Sequence, residues 1–124
     1  PLEQARVEMW SRRAELTGLL HAAEVVRNAI PFFADKALPG VEGGSPQIEA
    51  LIERGKAGLE RFFRAFDQQL ADNEFVAGDH YSVADITTQV TIEFAGWRKI
   101  GIPDECKNLA RWYQQVCERP SAKA

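Results

Sequence analysis

The side chains in this sequence that could do chemistry are few and lie far apart. His21 and His80 are its two histidines, and Cys106 and Cys117 are its two cysteines. Catalysis by such groups needs a nucleophile beside a base, or an acid–base pair at hydrogen-bond distance. His21 lies in the apolar segment Leu20–Ala23, which is typical of a helix surface or core edge, and His80 lies in a turn, which is typical of a solvated residue. Neither histidine is predicted to be a ligand or a base.

The two cysteines predict neither a disulfide nor a zinc site. They stand eleven positions apart on one predicted helical stretch. That separation is about 16 Å at about 1.5 Å per residue, well beyond disulfide reach. Two isolated thiols without further ligands at metal-binding spacing are typical of a reducing cytosol. Cys117 is followed by Arg119 but has no obvious activating base. We therefore expect no catalytic residue and no metal in this chain, and a cytoplasmic location.

The residues around Asp85 predict a structural role for its carboxylate. Ser82 is a good N-cap residue, and Asp85 follows three positions later, where its carboxylate can accept a hydrogen bond from the Ser82 amide. Tyr81 before the cap and Ile86 four positions after it have the spacing of a hydrophobic staple. The pattern predicts a helix that begins at Ser82, with Asp85 buried beneath its first turn and acting as a capping group.

Hydrophobic periodicity predicts helices along the whole chain and no strand. Ser45 followed by Pro46 is a helix start signal, Asp104 is another, and Pro31 and Pro120 are stop signals. An exposed loop is expected over residues 36–46. The predicted fold is all-α, a bundle of four main helices plus possible short ones around the third helix, with bounds at about Leu2–Ala29, Ser45–Ala71, Ser82–Lys99 and Asp104–Arg119.

Three glycines stand inside the predicted helices, where glycine is unfavourable by about 1 kcal/mol relative to alanine. Gly18 in the first helix indicates a bend or a close backbone contact. Gly55 and Gly58 in the second helix indicate a helix crossing or a subunit contact, and the alternative is a neutral solvated face. One core is expected to join the last three helices through Leu59, Phe63, Phe66, Ile86, Val90 and Trp112.

The composition is that of an ordinary soluble domain. Hydrophobic residues make up 45% and charged residues 27% of 124 residues, which is enough for one core and one domain. A net charge of −3 gives no basic field for nucleic acid or an anionic membrane. The apolar runs are too short to span a bilayer, and no secretion signal is recognisable. The chain begins at Pro1 and runs straight into a helical pattern, so we interpret it as part of a longer protein.

Two segments resemble one known family. The string Phe75-Val76-Ala77-Gly78-Asp79-His80-Tyr81-Ser82-Val83-Ala84-Asp85-Ile86 resembles the segment that opens the long central helix of the C-terminal all-α domain of cytosolic, bacterial-type glutathione transferases. The resemblance extends to Leu109–Tyr113 and Cys117–Ser121, which look like the next helix and its end. It implies that residues 1–124 form this helical domain and that an N-terminal thioredoxin-like domain is absent from the chain.

The family's division of labour then implies roles for particular residues. In glutathione transferases the thioredoxin-like domain binds glutathione and activates its thiol, while the helical domain supplies a wall of the electrophile pocket and much of the dimer contact. By position, the resemblance places Trp10, Arg13 and Thr17 of the first helix, and Phe94 and Trp97 of the third, in that substrate pocket. For the two tryptophans the alternative is a plain core position.

Three hypotheses follow for function. The first is the C-terminal domain of an enzyme that conjugates glutathione, its co-substrate, to small hydrophobic electrophiles as a homodimer. The second is a non-catalytic interaction or scaffold module of the same fold, and the third is an unrelated helical bundle. Under the first, Trp10, Phe94 and Trp97 should border a cleft open on one side, with Gly55–Gly58 nearer a subunit contact. The chain alone should then be inactive and dimeric or prone to aggregate.

Overall fold

The computed structural model describes residues 1–123, which form helices joined by loops. In chain order these are α1 (Leu2–Ala14), a π-helical turn (Glu15–Leu19), α2 (Leu20–Ala29), α3 (Glu49–Ala71), α4 (Val83–Gly96) and α5 (Lys107–Cys117), with short 3₁₀ turns at Pro31–Phe33 and Pro120–Ala122. Because α1, the π turn and α2 are continuous, the described residues form four main helices, and their extended pairing is limited to two isolated bridges. The predicted all-α fold is confirmed.

The first long helix contains a π turn where the sequence has Gly18. A Cβ atom at Gly18 would lie 2.6 Å from Cε2 of Phe62, which is closer than atoms can approach without movement. Gly18 is buried, and the Phe62 ring of α3 fills the space beside it. The contact is close, but the predicted backbone neighbour is wrong, because the ring of Phe62 on another helix occupies the space beside Gly18.

Helices α2 and α3 cross closely at Gly55 and Gly58. A Cβ atom at Gly55 would lie 2.7 Å from the carbonyl oxygen of His21, and one at Gly58 would overlap the His21 imidazole. Both glycines are buried. The prediction of a helix crossing is confirmed and the solvated face is wrong, because α2 of the same chain covers both glycines. The expectation that Gly55–Gly58 lies nearer a subunit contact stays a prediction.

Helix α3 begins at Glu49, later than the predicted start at Ser45. The Ser45 amide and carbonyl instead bond to loop residues, with its carbonyl accepting from the Ala37 amide at 3.0 Å. The amide of Ile48, just before α3, donates to Oδ1 of Asn28 at 2.9 Å, so a side chain near the end of α2 provides the acceptor for this amide. The side chain that bonds to the chain just before α3 therefore comes from a distant part of the sequence and not from the local serine.

Helix α5 begins at Lys107, and Asp104 does not cap it. Asp104 is exposed in the preceding turn. The amide of Leu109, in the first turn of α5, donates to Oδ1 of Asp67 on α3 at 3.0 Å. The carboxylate that stabilises this helix start therefore comes from another helix.

Helix α4 packs against α1, the π turn, α2 and α5, but one of its faces stays uncovered. Val83, Ile86, Val90 and Trp97 recur along that face and are between 46% and 64% exposed. The expectation that Ile86 and Val90 belong to the core is therefore wrong. The sequence of α4 is apolar on most sides, but residues 1–123 supply neighbours for only part of its surface.

The core lies between α3, α5 and the inner faces of the first and third long helices. Its four correctly predicted members, Leu59, Phe63, Phe66 and Trp112, are each 2% exposed or less. The large buried residues that join them include Phe62, Leu70, Leu109, Val76 and Val116. This core fixes the relative positions of the helices that carry the candidate site residues.

Candidate functional site

Asp85 accepts hydrogen bonds of 3.0 Å or less from three donors. Its Oδ1 accepts from the Val76 amide at 3.0 Å and from Nε1 of Trp112 at 2.8 Å, and its Oδ2 accepts from the Ser82 amide at 2.9 Å. Oγ of Ser82 in turn accepts from the Ala84 amide at 3.2 Å. The side chain of Asp85 is fully buried. The predicted capping box and the burial of Asp85 are confirmed.

This arrangement makes Asp85 a structural carboxylate. A general base must be able to reach a proton on a substrate, and here both carboxylate oxygens already accept from protein donors away from solvent. The two residues of the predicted hydrophobic staple, Tyr81 and Ile86, are less buried than Asp85. Both line one shallow groove, and Ile86 is about half exposed. Tyr81 also packs edge-on against Phe75, with ring centroids 5.9 Å apart. The contact expected of a staple stays a prediction.

Three predicted pocket residues lie around one cavity between the first long helix and α3. We call it the Trp10 cavity, and its volume is about 310 Å³. Its lining comprises Trp10, Arg13, Thr17, His21, Gly58, Arg61, Phe62, Ala65 and Phe66. The structure thus brings together the three residues predicted on the first helix.

The aromatic side of the Trp10 cavity is held by ring packing. The indole of Trp10 meets Phe66 edge-on, with centroids 5.4 Å apart and an interplanar angle of 85°. The guanidinium carbon of Arg13 lies 4.6 Å from the centroid of the Trp10 ring, a cation–π geometry. The hydroxyl of Thr17 donates to the carbonyl of Arg13, so its proton is committed to the helix backbone. Trp10 is partly buried, and so takes part in both the core edge and the cavity.

The two pocket residues predicted on α4 lie at a different place. Trp97 is 64% exposed and meets Phe94 edge-on, with centroids 5.1 Å apart. Trp97 borders a second cavity of about 610 Å³, the Trp97 cavity, which is lined by Ile92, Glu93, Gly96, Trp97, Ile100, Gly101, Ile102 and Tyr113. Within the described residues, the five predicted pocket residues therefore do not line a single cavity.

Tyr113 and Glu93 line the Trp97 cavity and were not predicted. Burial first, then the Cys117 thiol and the Glu93 carboxylate, raises the pKa of Tyr113 to about 12. An unperturbed tyrosine is also protonated at neutral pH, so the raised pKa changes the charge of this phenol only in the alkaline range. Glu93 accepts a 2.9 Å hydrogen bond from Nε2 of Gln89. The sequence could have predicted Glu93 as a cavity residue from its position four residues before Trp97, because residues at that spacing lie on one helix face.

The histidines and cysteines lie apart from one another. His21 is half-buried in the Trp10 cavity, whereas His80 is exposed in its turn. Both cysteines are free thiols, and burial together with the Asp67 carboxylate raises the pKa of Cys106. In residues 1–123 we find no group of three histidine, cysteine or acidic residues placed to hold a metal ion. No helix of this part of the chain is both long enough and apolar enough to cross a bilayer.

Comparison with known proteins identifies one family over most of the chain. The family model described as "Glutathione S-transferase, C-terminal domain" matches residues 29–120. Glutathione S-transferase 2 of Saccharomyces cerevisiae is 33% identical over 129 aligned positions, which cover 99% of this chain and 50% of that protein. Glutathione S-transferase F13 of Arabidopsis thaliana is 23% identical over 98% of this chain and 52% of its own length. The chain thus spans about half the length of these curated relatives.

Solved structures give the same result for the fold. The crystal structure of Gtt2 from Saccharomyces cerevisiae superposes with a TM-score of 0.85 at 33% identity, covering 99% of this chain and 56% of that one. A class Gtt2 glutathione S-transferase of Vibrio parahaemolyticus superposes with a TM-score of 0.79 at 32% identity, covering all of this chain and 52% of that one. The helices described above therefore have counterparts along the whole described chain.

Proposed function

The chain belongs to the glutathione S-transferase family, in which it corresponds to the C-terminal domain, and on this premise we propose that it forms a wall of the electrophile pocket in an enzyme that conjugates glutathione to small hydrophobic electrophiles. The observation that carries the proposal is the match of 99% of the chain, at 33% identity, to the glutathione S-transferase of yeast. The apolar, aromatic-lined Trp97 cavity supports it.

The proposed reaction is a nucleophilic displacement or addition. The thiol of glutathione loses its proton to an acceptor outside this chain, and the thiolate sulfur forms a bond to an electrophilic carbon. In a displacement, the bond from that carbon to the leaving group breaks, and the leaving group departs with the electron pair. In an addition, the π bond of the activated alkene breaks, and its other carbon takes a proton from water. The chain's own part is to bind and orient the electrophile, because no residue of it is proposed to activate the thiol.

The pocket residues have distinct proposed tasks. Trp97 and Phe94 present an apolar aromatic surface to the electrophile, and the phenol of Tyr113 is a polar group in the lining of the Trp97 cavity. Trp10, Arg13 and Thr17 contribute from the Trp10 cavity. In the full protein, the remaining half would complete the walls of the Trp10 cavity and the Trp97 cavity, and the substrate would reach both cavities there.

The remaining half of the protein is the proposed partner of the exposed α4 face. An N-terminal thioredoxin-like domain would cover Val83, Ile86 and Val90, whose apolar side chains now face solvent. A homodimer is proposed as well, together with a location in the cytosol. Since α4 lacks cover without this domain, we expect the isolated chain to associate, to bind glutathione weakly and to conjugate nothing.

The test uses the full protein that contains this chain. We expect it to be retained on immobilised glutathione and to transfer the glutathione sulfur to 1-chloro-2,4-dinitrobenzene with release of chloride. No retention and no conjugation would overturn the enzymatic proposal and favour a non-catalytic interaction module of the same fold. Conjugation by the isolated chain, as a monomer, would overturn the division of labour between the two domains.

A further inference from the structure

The lining of the Trp97 cavity contains one charged side chain, and that side chain is acidic. Glu93 lines the cavity together with apolar side chains, two glycines and the phenol of Tyr113. Arg98 and Lys99 follow Trp97 in the sequence, but neither belongs to the lining. Among the described residues, the charge that a ligand meets inside this cavity is therefore negative.

The Glu93 carboxylate has no cationic partner in the described part of the chain. Within residues 1–123 no lysine, arginine or histidine forms an ion pair with it, whereas Glu8, Glu24 and Glu60 each pair with an arginine at 2.8–3.0 Å. Its Oε1 accepts a 2.9 Å hydrogen bond from Nε2 of Gln89, whose side chain is buried, and this bond orients the carboxylate. A hydrogen bond from a neutral amide leaves the negative charge in place, so that charge is available to a ligand.

The Trp97 ring is a second group that favours a cation. Residues four positions apart lie on one helix face, so Trp97 and Glu93 border the cavity from the same side of α4. The indole meets Phe94 edge-on, with centroids 5.1 Å apart and an interplanar angle of 89°, and this contact holds the ring in place. The ring is 64% exposed, so much of its surface is open to a ligand. The face of an indole attracts cations more strongly than that of any other aromatic side chain.

The cavity also lies at the C-terminal end of α4. Gly96 is the last residue of that helix and lines the cavity. The C-terminal end of a helix carries a partial negative charge, which favours a nearby cation. On the opposite wall, burial, then the Cys117 thiol and then the Glu93 carboxylate raise the pKa of Tyr113. The negative charge of Glu93 therefore acts across the cavity as far as α5, in the same direction as the helix end.

The size and lining of the cavity suit an ammonium group that is attached to an apolar body. The volume of about 610 Å³ is within the range for small-molecule sites. Ile92, Ile100 and Ile102 supply apolar surface for the uncharged part of such a ligand. Because Glu93 is exposed, its attraction for a cation is partly screened, and affinity should fall as salt concentration rises.

We propose that the Trp97 cavity binds organic cations, with an alkylammonium group between the Glu93 carboxylate and the Trp97 ring and an apolar body against the isoleucines. The inference deepens the proposed function and rests on it in one respect, because it assigns electrophiles that carry a positive charge as substrates of this pocket. The binding of the cation itself needs neither glutathione nor turnover.

The test measures binding of 3-phenylpropylammonium to the full protein by calorimetry, without glutathione, with 3-phenylpropan-1-ol as the neutral probe of the same length. We expect the ammonium probe to bind more tightly than the alcohol. Glu93→Gln and Trp97→Leu should each weaken its binding by about two- to fivefold, as for loss of one exposed ion pair or one exposed cation–π contact. Glu93→Gln should leave the affinity for the alcohol unchanged. Glu49→Gln, which removes the same charge from an exposed residue outside the cavity, should change neither affinity.

A competition experiment locates the site of binding. The ammonium probe should inhibit the conjugation of 1-chloro-2,4-dinitrobenzene competitively with that electrophile, because both would occupy the Trp97 cavity. Glu93→Gln should raise the inhibition constant by the same two- to fivefold factor as it raises the dissociation constant, about the effect of one exposed ion pair. Glu93→Asp, which keeps the charge on a shorter side chain, should retain part of the affinity and so separates charge from shape.

Several outcomes would overturn the proposal. These are equal affinity for both probes, equal weakening by Glu49→Gln and Glu93→Gln, inhibition that is not competitive with the electrophile, or no binding of either probe. Binding of the cation without any conjugation would overturn the proposed function and leave the cation site standing. Conjugation with no preference for the ammonium probe would overturn this inference alone.

Discussion

The carboxylate of Asp85 accepts a 2.8 Å hydrogen bond from the indole nitrogen of Trp112, and so joins the start of α4 to the middle of α5. The same oxygen accepts from the Val76 amide in the preceding loop. Both side chains are fully buried. One carboxylate therefore satisfies donors from three segments, and two of these donors, the Val76 amide and the Trp112 indole, would otherwise be buried without a partner.

We expect Asp85→Ala to be among the most destabilising single substitutions in this chain. It would leave the amides of Val76 and Ser82 and the indole of Trp112 without their acceptor, at about 1–3 kcal/mol for each buried donor. Ser82→Ala removes only the local cap and should cost about 0.5–2 kcal/mol. Urea unfolding measures both. Asp104→Ala, at an exposed residue, is the control and should change stability by less than about 0.5 kcal/mol. Equal midpoints for all three variants would contradict the account.

Gly58→Ala should destabilise the protein by about 1–3 kcal/mol, because the added methyl group overlaps the His21 imidazole at the crossing of α2 and α3. Gly96→Ala is the matched control, since a Cβ there meets nothing within 4 Å. It should be neutral or stabilising by up to about 1 kcal/mol. In a double-mutant cycle, His21→Ala should restore part of the stability that Gly58→Ala loses. Additive effects would argue against this contact.

Phe63→Ala should cost about 3–5 kcal/mol of unfolding free energy, because Phe63 is 2% exposed within the main core. Phe32→Ala provides the comparison, since its ring is 71% exposed. Chemical denaturation of both variants is the measurement. A loss below about 1 kcal/mol for Phe63→Ala would mean that its ring is not packed as described.

Trp97→Ala should affect conjugation and leave stability nearly unchanged. The ring is 64% exposed, so its removal costs little core packing, but it would take the aromatic wall from the proposed pocket. We expect the KM for a hydrophobic electrophile to rise several-fold, with the KM for glutathione and the urea midpoint unaltered. Phe32→Ala, also an exposed aromatic, should leave both KM values as they are. Identical kinetics for the two variants would remove Trp97 from the pocket.

Stability should fall between pH 10 and pH 12 in part through Tyr113. The pKa of this phenol is raised to about 12 in the folded protein, while the unfolded chain releases the proton near 10. Over that interval the folded state binds more protons than the unfolded state, so the free energy of unfolding decreases as pH rises. The contribution is complete below pH 10. Thermal unfolding of Tyr113→Phe should show a shallower decline, and a parallel decline would contradict the shifted pKa.

The start of α4 was predictable because its signals are local. Ser82 and Asp85 bond within one turn of helix, so residue types and spacing were enough to predict the capping box. The starts of α3 and α5 were not predictable in this way. The backbone amides at those helix starts donate to the side chains of Asn28 and Asp67, which lie 20 and 42 positions away. No local sequence pattern predicts such a pairing.

The sequence by itself determined the helical class, the approximate lengths of the four main helices, and the family, because helical periodicity and capping depend on neighbours within a turn or two. Only the tertiary structure decided which apolar face of α4 is covered, that Gly58 receives the His21 ring, and that Trp10 and Trp97 border separate cavities. These outcomes depend on which helices meet and at what distance. The apolar residues on α4 predict that this helix is buried, but the packing of the other helices determines which surface each of these residues contacts.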